Sequence, residues 1–271
     1  MTLSALTARL RAAGVPDPET DASLLLCHFC RVSPAMLMAF REKEYEGEAL
    51  EAAVRDREAR VPLQYIIGEV AFFSEHYRVS PAVLCPRPDT ELLVEEAVAR
   101  IPKGVRFGDL CTGSGCVAVS ILAHRPDLTA LAAEVSPEAV TLATENADRN
   151  GVSDRLGFLR FDLLSGRHPM VARLPVLVAN PPYIPTADLA SLDKEVKAEP
   201  PMALDGGEDG LLFYKSFLSF YSPSLFLFEI GYDQAEAVCA LGKEKGYAPT
   251  VKKDAGGNDR VVILAKEQET F

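Results

Sequence analysis

The residues best suited to chemistry are Asn180-Pro181-Pro182-Tyr183. They follow Leu174-Pro175-Val176-Leu177-Val178-Ala179, a run of mostly branched apolar residues that reads as a fully buried strand. Two consecutive prolines cannot continue a hydrogen-bond ladder, so the strand stops there. A carboxamide, a backbone carbonyl with no N–H partner beyond it and an aromatic ring are thereby presented together at a strand's carboxyl end, the edge at which open α/β sheets bind ligands. Asn180 can accept and donate hydrogen bonds, the rigid backbone adds an acceptor, and Tyr183 offers a flat face. Such a set suits a planar group that carries an NH2. The plain alternative is a turn with an exposed tyrosine, and the residues upstream weigh against it.

Asp109-Leu110-Cys111-Thr112-Gly113-Ser114-Gly115 ends an earlier strand and runs directly into a helix. Glycines let a backbone approach a ligand closely, and a helix N-terminus offers unpaired N–H groups. At the end of the next strand stands Glu134, an acid able to accept both hydroxyls of a ribose. By itself, Gly113-Ser114-Gly115-Cys116-Val117-Ala118 also fits the dinucleotide pattern G-x-G-x-x-G/A with its downstream acid. A nicotinamide dehydrogenase would have no particular use for Asp109 or for Asn-Pro-Pro-Tyr; a methyltransferase uses all of them. A third acid, Asp162, ends a third strand, where it can accept from an adenine amino group while Leu163 packs on the ring. Three acids at successive strand ends, followed by Asn-Pro-Pro-Tyr at a fourth, point to S-adenosylmethionine.

The elements that must position these residues form an alternation. Strands are expected over 105–111, 128–133, 156–161, 174–179, 225–230 and 261–265, and helices over 116–124, 137–149, 210–221 and 234–245. Strand and helix in turn imply parallel pairing with right-handed crossovers, hence a three-layer α/β sheet. Ahead of this lie residues 1–62, four helical segments forming a small bundle whose role is either to recognise a partner or to stabilise the larger domain. Residues 63–84 read as a β-hairpin linker and 85–271 as the domain carrying the site. In Cys85-Pro86-Arg87-Pro88-Asp89-Thr90-Glu91, Asp89 or Thr90 is expected to cap the following helix, and Arg87, framed by prolines, either anchors an anion or marks a plain turn. Cys27-His28-Phe29-Cys30 invites a metal reading, yet it continues an apolar helical pattern with no second pair at finger spacing, so core packing is expected and no metal.

Composition bounds the rest. With 271 residues, 48% of them hydrophobic, the chain can bury a large core. A formal charge of -11 argues against bare nucleic acid as the main partner. There is no apolar run long enough for a membrane span, and the N-terminus lacks a signal peptide's pattern, so a cytoplasmic protein is expected, with no membrane partner. Six scattered cysteines fit reduced thiols.

The chain resembles the HemK-type protein glutamine N5-methyltransferases over nearly its whole length. The resemblance is carried by Gln64-Tyr65 with Gly68, Pro86-Arg87-Pro88-Asp89-Thr90-Glu91, the 109–115 loop, Asn146-Ala147, Asn180-Pro181-Pro182-Tyr183, Glu199-Pro200 and Asn258-Asp259-Arg260. It implies a class I, Rossmann-like methyltransferase fold: a seven-stranded sheet whose last strand is antiparallel. It also implies S-adenosylmethionine held by Cys111, Thr112, Gly113, Ser114 and Gly115, by Glu134, by Asp162 with Leu163, and by Asn180. The substrate implied is the glutamine of the Gly-Gly-Gln motif in peptide chain release factors, taken by a monomer. Two positions depart from the family: Cys111 replaces the loop's first glycine, which a small side chain tolerates if φ there is negative, and Glu134 replaces aspartate, which sets the ribose slightly farther out.

An amide nitrogen is a poor nucleophile and a sulfonium methyl is already reactive, so the expected work is alignment and exclusion of water. The Asn180 oxygen and the Pro181 carbonyl are expected to accept the two N–H hydrogens of the glutamine, with Tyr183 against the amide plane and Pro182 holding the turn. The competing readings are the same chemistry on a ribosomal protein, amino-group methylation of a nucleic-acid base, and a non-catalytic module that binds the cofactor.

Overall fold

The computed structural model describes residues 1–40 and 42–266. In chain order the elements are α1 (Leu3–Ala12), α2 (Pro18–Cys30), α3 (Pro34–Ala39), α4 (Glu48–Glu58), α5 (Leu63–Ile67), β1 (Glu69–Phe72), β2 (Glu75–Arg78), α6 (Glu91–Arg100), β3 (Arg106–Leu110), α7 (Cys116–His124), β4 (Thr129–Glu134) and α8 (Pro137–Arg149). They continue with β5 (Leu156–Arg160), β6 (Val176–Ala179), α9 (Lys194–Lys197), α10 (Leu212–Phe220), β7 (Leu225–Glu229), α11 (Ala235–Glu244), β8 (Tyr247–Lys253) and β9 (Asp259–Lys266). Two compact units result: Met1–Glu69 with Asp193–Ala198, and Val70–Leu192 with Glu199–Phe271.

In the first unit, Thr2, Asp17 and Ser33 each accept a backbone N–H at the start of α1, α2 and α3, satisfying donors that a helix leaves open. Leu6, Leu10, Leu25, Leu26, Leu50 and Val54 recur at helical spacing and close a core among α1, α2 and α4. Cys27, Phe29 and Cys30 pack at its edge. Residues 64–67, expected to lead into the hairpin, instead form most of α5, which Gly68 ends at φ 81°. The unit also captures a distant segment. Arg57, 4% exposed, donates to Asp21 at 2.6 Å and to Glu195 at 2.8 Å, and Arg60 donates to both Glu195 oxygens at 2.5 and 2.6 Å. These ion pairs pin α9 and pull the Glu195 carboxyl down to about 2 against its burial.

In the second unit, β1 and β2 form the hairpin and seven strands form one sheet in the order β5-β4-β3-β6-β7-β9-β8. The pairs from β5 to β7 are parallel, while β9 runs antiparallel to both β7 and β8. Alternate residues serve opposite faces: Val176 and Val178 join a core with Leu93, Val117 and Ile121, and Leu177 and Ala179 join one with Tyr214, Phe217 and Phe228. Six strands are readable from apolar runs; the seventh, β8, is not. It carries Pro249 and two lysines with a half-exposed face, which suits the edge position it takes, where a missing N–H is harmless. From β3 the chain winds outward through β4 to β5 and then returns to β6 on the other side of β3. The cleft between the ends of β3 and β6 is therefore the sheet's switch point.

Candidate active site

Register brings the sequence-predicted residues to one edge. Leu110 pairs with both Ala133 and Ala179, and Glu134 pairs with Arg160, so the residues following β3, β6 and β5 sit in a row with the last residue of β4. A cavity of about 450 Å³ opens there. Cys111, Thr112, Gly113, Ser114, Glu134, Asp162, Leu163, Asn180 and Pro182 all line it. Gly115, Pro181 and Tyr183 do not: Gly115 begins α7 at φ 81°, Pro181 is buried, and Tyr183 is half-buried beside the lining. Phe161, Val135 and Phe213, apolar neighbours that carry no motif, complete the walls.

The negative φ that is the condition for an unstrained Cys111 is not met. Its φ is +60°, a left-handed conformation that a residue with a Cβ adopts at a cost of about 1–2 kcal/mol. The chain must turn sharply from β3 to enter the Gly113–Gly115 bend, and the strain is held by the ladders on either side. Burial also pushes the Cys111 thiol well above its ordinary value.

The corner after β6 is braced from several directions. The Asn180 side chain donates through Nδ2 to Oγ1 of Thr90 at 3.1 Å. Gln234 donates through Nε2 to the Tyr183 carbonyl at 2.8 Å, and the Tyr183 hydroxyl reaches Glu229 at 3.4 Å. Among the described residues, no hydrogen bond uses the Asn180 Oδ1 or the Pro181 carbonyl. The backbone of Gly206 lies so close that an added Cβ would sit 2.7 Å from the Tyr183 Cα.

Three acids line the cavity, each held differently. Asp109 is buried, accepts from the Thr112 hydroxyl at 2.5 Å, and is pushed by desolvation up to about 7. Glu134 accepts backbone N–H groups from Gly113 (3.0 Å), Val135 (2.8 Å) and Ser136 (3.1 Å). Two of these three donors belong to the loop that leads into α8. Asp162 is exposed and accepts from the Leu164 N–H at 2.9 Å. Together they suit a cationic ligand with hydroxyl groups.

Comparison with known proteins accounts for this layout. Residues 2–68 match the PrmC N-terminal domain and residues 87–203 the Methyltransferase small domain. A release factor glutamine methyltransferase of Moorella thermoacetica is 38% identical over 96% of this chain and 96% of its own length. The chain belongs to the release factor glutamine methyltransferase family. A second member, from Cereibacter sphaeroides, is 38% identical over 96% of this chain and 95% of its own length. The solved structure of the hMettl16 catalytic domain with the MAT2A 3'UTR hairpin 6 shares the fold at TM-score 0.54, 15% identity, covering 72% of this chain and 77% of that one. Members of the family are S-adenosylmethionine-dependent protein glutamine N5-methyltransferases, and this chain is an enzyme of that kind.

In this methyltransferase the Pro-Arg-Pro-Asp-Thr-Glu stretch does more than start a helix. Neither Asp89 nor Thr90 caps α6 with its side chain. Asp89 pairs with Arg260 at 3.1 Å, Glu91 accepts the Phe73 N–H at 2.7 Å, and Thr90 takes Asn180. Arg87 does meet an anion, the chain's own Glu199, which also accepts the Cys85 N–H at 3.1 Å. Asn146, fully buried, accepts the Arg78 N–H and donates to the Arg78 and Ser114 carbonyls, tying the hairpin to the glycine loop. No local pattern marks these partners, since every one of them is distant in sequence.

Proposed function

We propose that the enzyme transfers a methyl group from S-adenosylmethionine to the side-chain nitrogen of the glutamine in the Gly-Gly-Gln motif of peptide chain release factors, in the cytoplasm. The observation that carries this reading is an open acceptor, Asn180 Oδ1, on a residue that lines a cavity bearing acids, with the unbonded carbonyl of Pro181 next to it in the chain. An amide NH2 has two hydrogens and needs two acceptors to be held in one orientation. The names of the relatives supply the choice of protein.

The residues present fit the donor. The Cys111–Gly115 loop would hold its amino-acid end, Glu134 its ribose hydroxyls, and Asp162 with Leu163 its adenine, while the acids lining the cavity favour its positive charge. When bound, the donor supplies an electrophilic methyl carbon. Asn180 Oδ1 and the Pro181 carbonyl draw the two N–H bonds into fixed directions, which aims the nitrogen lone pair. Tyr183 packs on the amide plane, and the double proline keeps the corner from yielding. Phe161, Val135 and Phe213 keep water from the reacting atoms. Alkylation makes the nitrogen cationic and strongly acidic, so its proton is given up without a strong base and passes to solvent as the product departs. Residues 1–62 would present the protein substrate.

Labelled S-adenosylmethionine, offered with release factor, with release factor whose Gly-Gly-Gln glutamine is replaced by alanine, with a ribosomal protein mixture and with DNA, tests the proposal. Label should enter the first alone. Equal labelling of the alanine variant sinks it.

A further inference from the structure

A side-chain carboxamide has nearly the same shape in its two flips, but only one of them presents oxygen to an incoming NH2. The reversed flip sets donor against donor. Something must therefore break the symmetry at Asn180, and its Nδ2 contact is the Thr90 hydroxyl. A hydroxyl alone is a poor selector, because it has one proton and two lone pairs and can receive from an NH2 or donate to a carbonyl with equal ease. Its choice is made by what lies behind it.

The carboxyl on which the Thr90 hydroxyl acts is that of Glu229, the last residue of β7 and 1% exposed. One of its oxygens receives the Tyr183 hydroxyl. The other, Oε2, is the one buried side-chain oxygen or nitrogen among the described residues that lacks a partner. Thr90 is itself 1% exposed; burial pushes the Glu229 carboxyl up to about 7, and the Thr90 hydroxyl eases it back toward ionisation. An ionised carboxylate only accepts, so the unpartnered Oε2 can draw the threonine proton but never supply one, which leaves the threonine lone pairs for Asn180 Nδ2. We infer that Thr90, polarised by Glu229, is a positioning residue that fixes the Asn180 carboxamide with its oxygen toward the substrate amide. This deepens the function proposed above and rests on it.

The arrangement has a direction that protonation reverses. A neutral Glu229 carboxyl can donate to Thr90, whose own proton is then free to go to Asn180 Oδ1 and turn the amide over. The charged and titratable groups facing Glu229 are Arg260 from β9, Asp89 from the turn before α6, Tyr183, Tyr214 of α10 and the Cys116 thiol of α7. Of these, Arg260 favours the ionised form and Asp89 opposes it. Methyl transfer should accordingly switch on as Glu229 loses its proton.

The test compares wild type, Thr90→Val, Thr90→Ser and Glu229→Gln for kcat on release factor and, by calorimetry, for S-adenosylmethionine affinity. Thr90→Val keeps the shape and removes the hydroxyl; kcat should fall about a hundredfold, the scale of a misplaced reacting group, with donor affinity within about twofold of wild type. Thr90→Ser should recover most of that loss. The acid limb of the wild-type kcat profile should be absent in Glu229→Gln. Full activity in Thr90→Val, a Thr90→Ser as slow as Thr90→Val, or an acid limb that survives in Glu229→Gln each overturns the inference. Should Thr90→Val lose donor binding, Thr90→Ala, which adds no new contact, is judged by the same criteria. A wild type that binds the donor but leaves the release factor unmethylated overturns the functional proposal and this inference together. An active wild type with an unimpaired Thr90→Val overturns this one alone.

Discussion

Arg87 donates through Nη2 to Oε2 of Glu199 at 2.5 Å, a carboxylate whose side chain is 1% exposed. The contact joins the turn before α6 to the 199–207 loop, and both contribute walls of the cavity. Burial raises the Glu199 carboxyl above its ordinary value and Arg87 pulls it back, so the pair holds a charge that desolvation alone would remove. Arg87→Ala should cost about 2 kcal/mol, less than the 3–5 kcal/mol of a fully buried pair because the arginine is partly exposed. Chemical denaturation reads the stability, and a weaker S-adenosylmethionine affinity should accompany the loss.

Asn180→Ala removes an acceptor from the reacting amide while leaving the glycine loop, Glu134 and Asp162 in place. Donor affinity should change by less than about tenfold, whereas kcat should fall at least about a hundredfold. Calorimetry and initial rates separate the two effects. An unimpaired rate would refute the role given to Asn180.

Cys111 stands at φ +60°, so what replaces it matters through the backbone. Cys111→Val, β-branched in a left-handed conformation, should lose about 2–3 kcal/mol. Cys111→Gly relieves the strain but gives up a packed side chain and frees the unfolded chain, leaving stability within about 1 kcal/mol of wild type. Urea midpoints of the two variants check the ranking.

Gly206→Ala places a methyl 2.7 Å from the Tyr183 Cα and 2.9 Å from the Gly210 Cα. Both are backbone atoms and cannot step aside cheaply. The Asn-Pro-Pro-Tyr corner should shift, and kcat should fall by about tenfold or more with the donor still bound.

Asp109 and Glu229 are both pushed by burial up to about 7 from ordinary values of 3.8 and 4.5. With folded values above unfolded ones, the native state holds more protons between about pH 4 and 7. Their contribution to stability is therefore most favourable below that window and declines as pH rises through it. Glu195, pulled down to about 2, acts in the opposite sense and only below about pH 4.5. Denaturation midpoints between pH 5 and 8 should fall less steeply in Asp109→Asn and in Glu229→Gln than in wild type.

Much of the site is legible in the chain because its signals are local. A double proline after an apolar run ends a strand wherever that strand lies, and Gly113 and Gly115 beside a helix start announce a tight bend. The alternation of strand and helix likewise carries the parallel sheet, and with it the edge at which Glu134, Asp162 and Asn180 must emerge. Strand β8 is hidden because an edge strand needs neither a continuous apolar run nor every N–H, so its pattern resembles a loop.

What tertiary structure alone decided is the partnering of polar groups. Thr90 and Asn180 are 90 residues apart, Arg87 and Glu199 112 apart, Arg57 and Glu195 138 apart. A hydroxyl or carboxylate has no periodicity that reveals its partner, because a hydrogen bond is fixed by distance and angle in the folded chain. Thr90 therefore reads as a helix cap until the fold sets it against Asn180, and the sign of φ at Cys111 follows from how β3 must turn into the glycine loop.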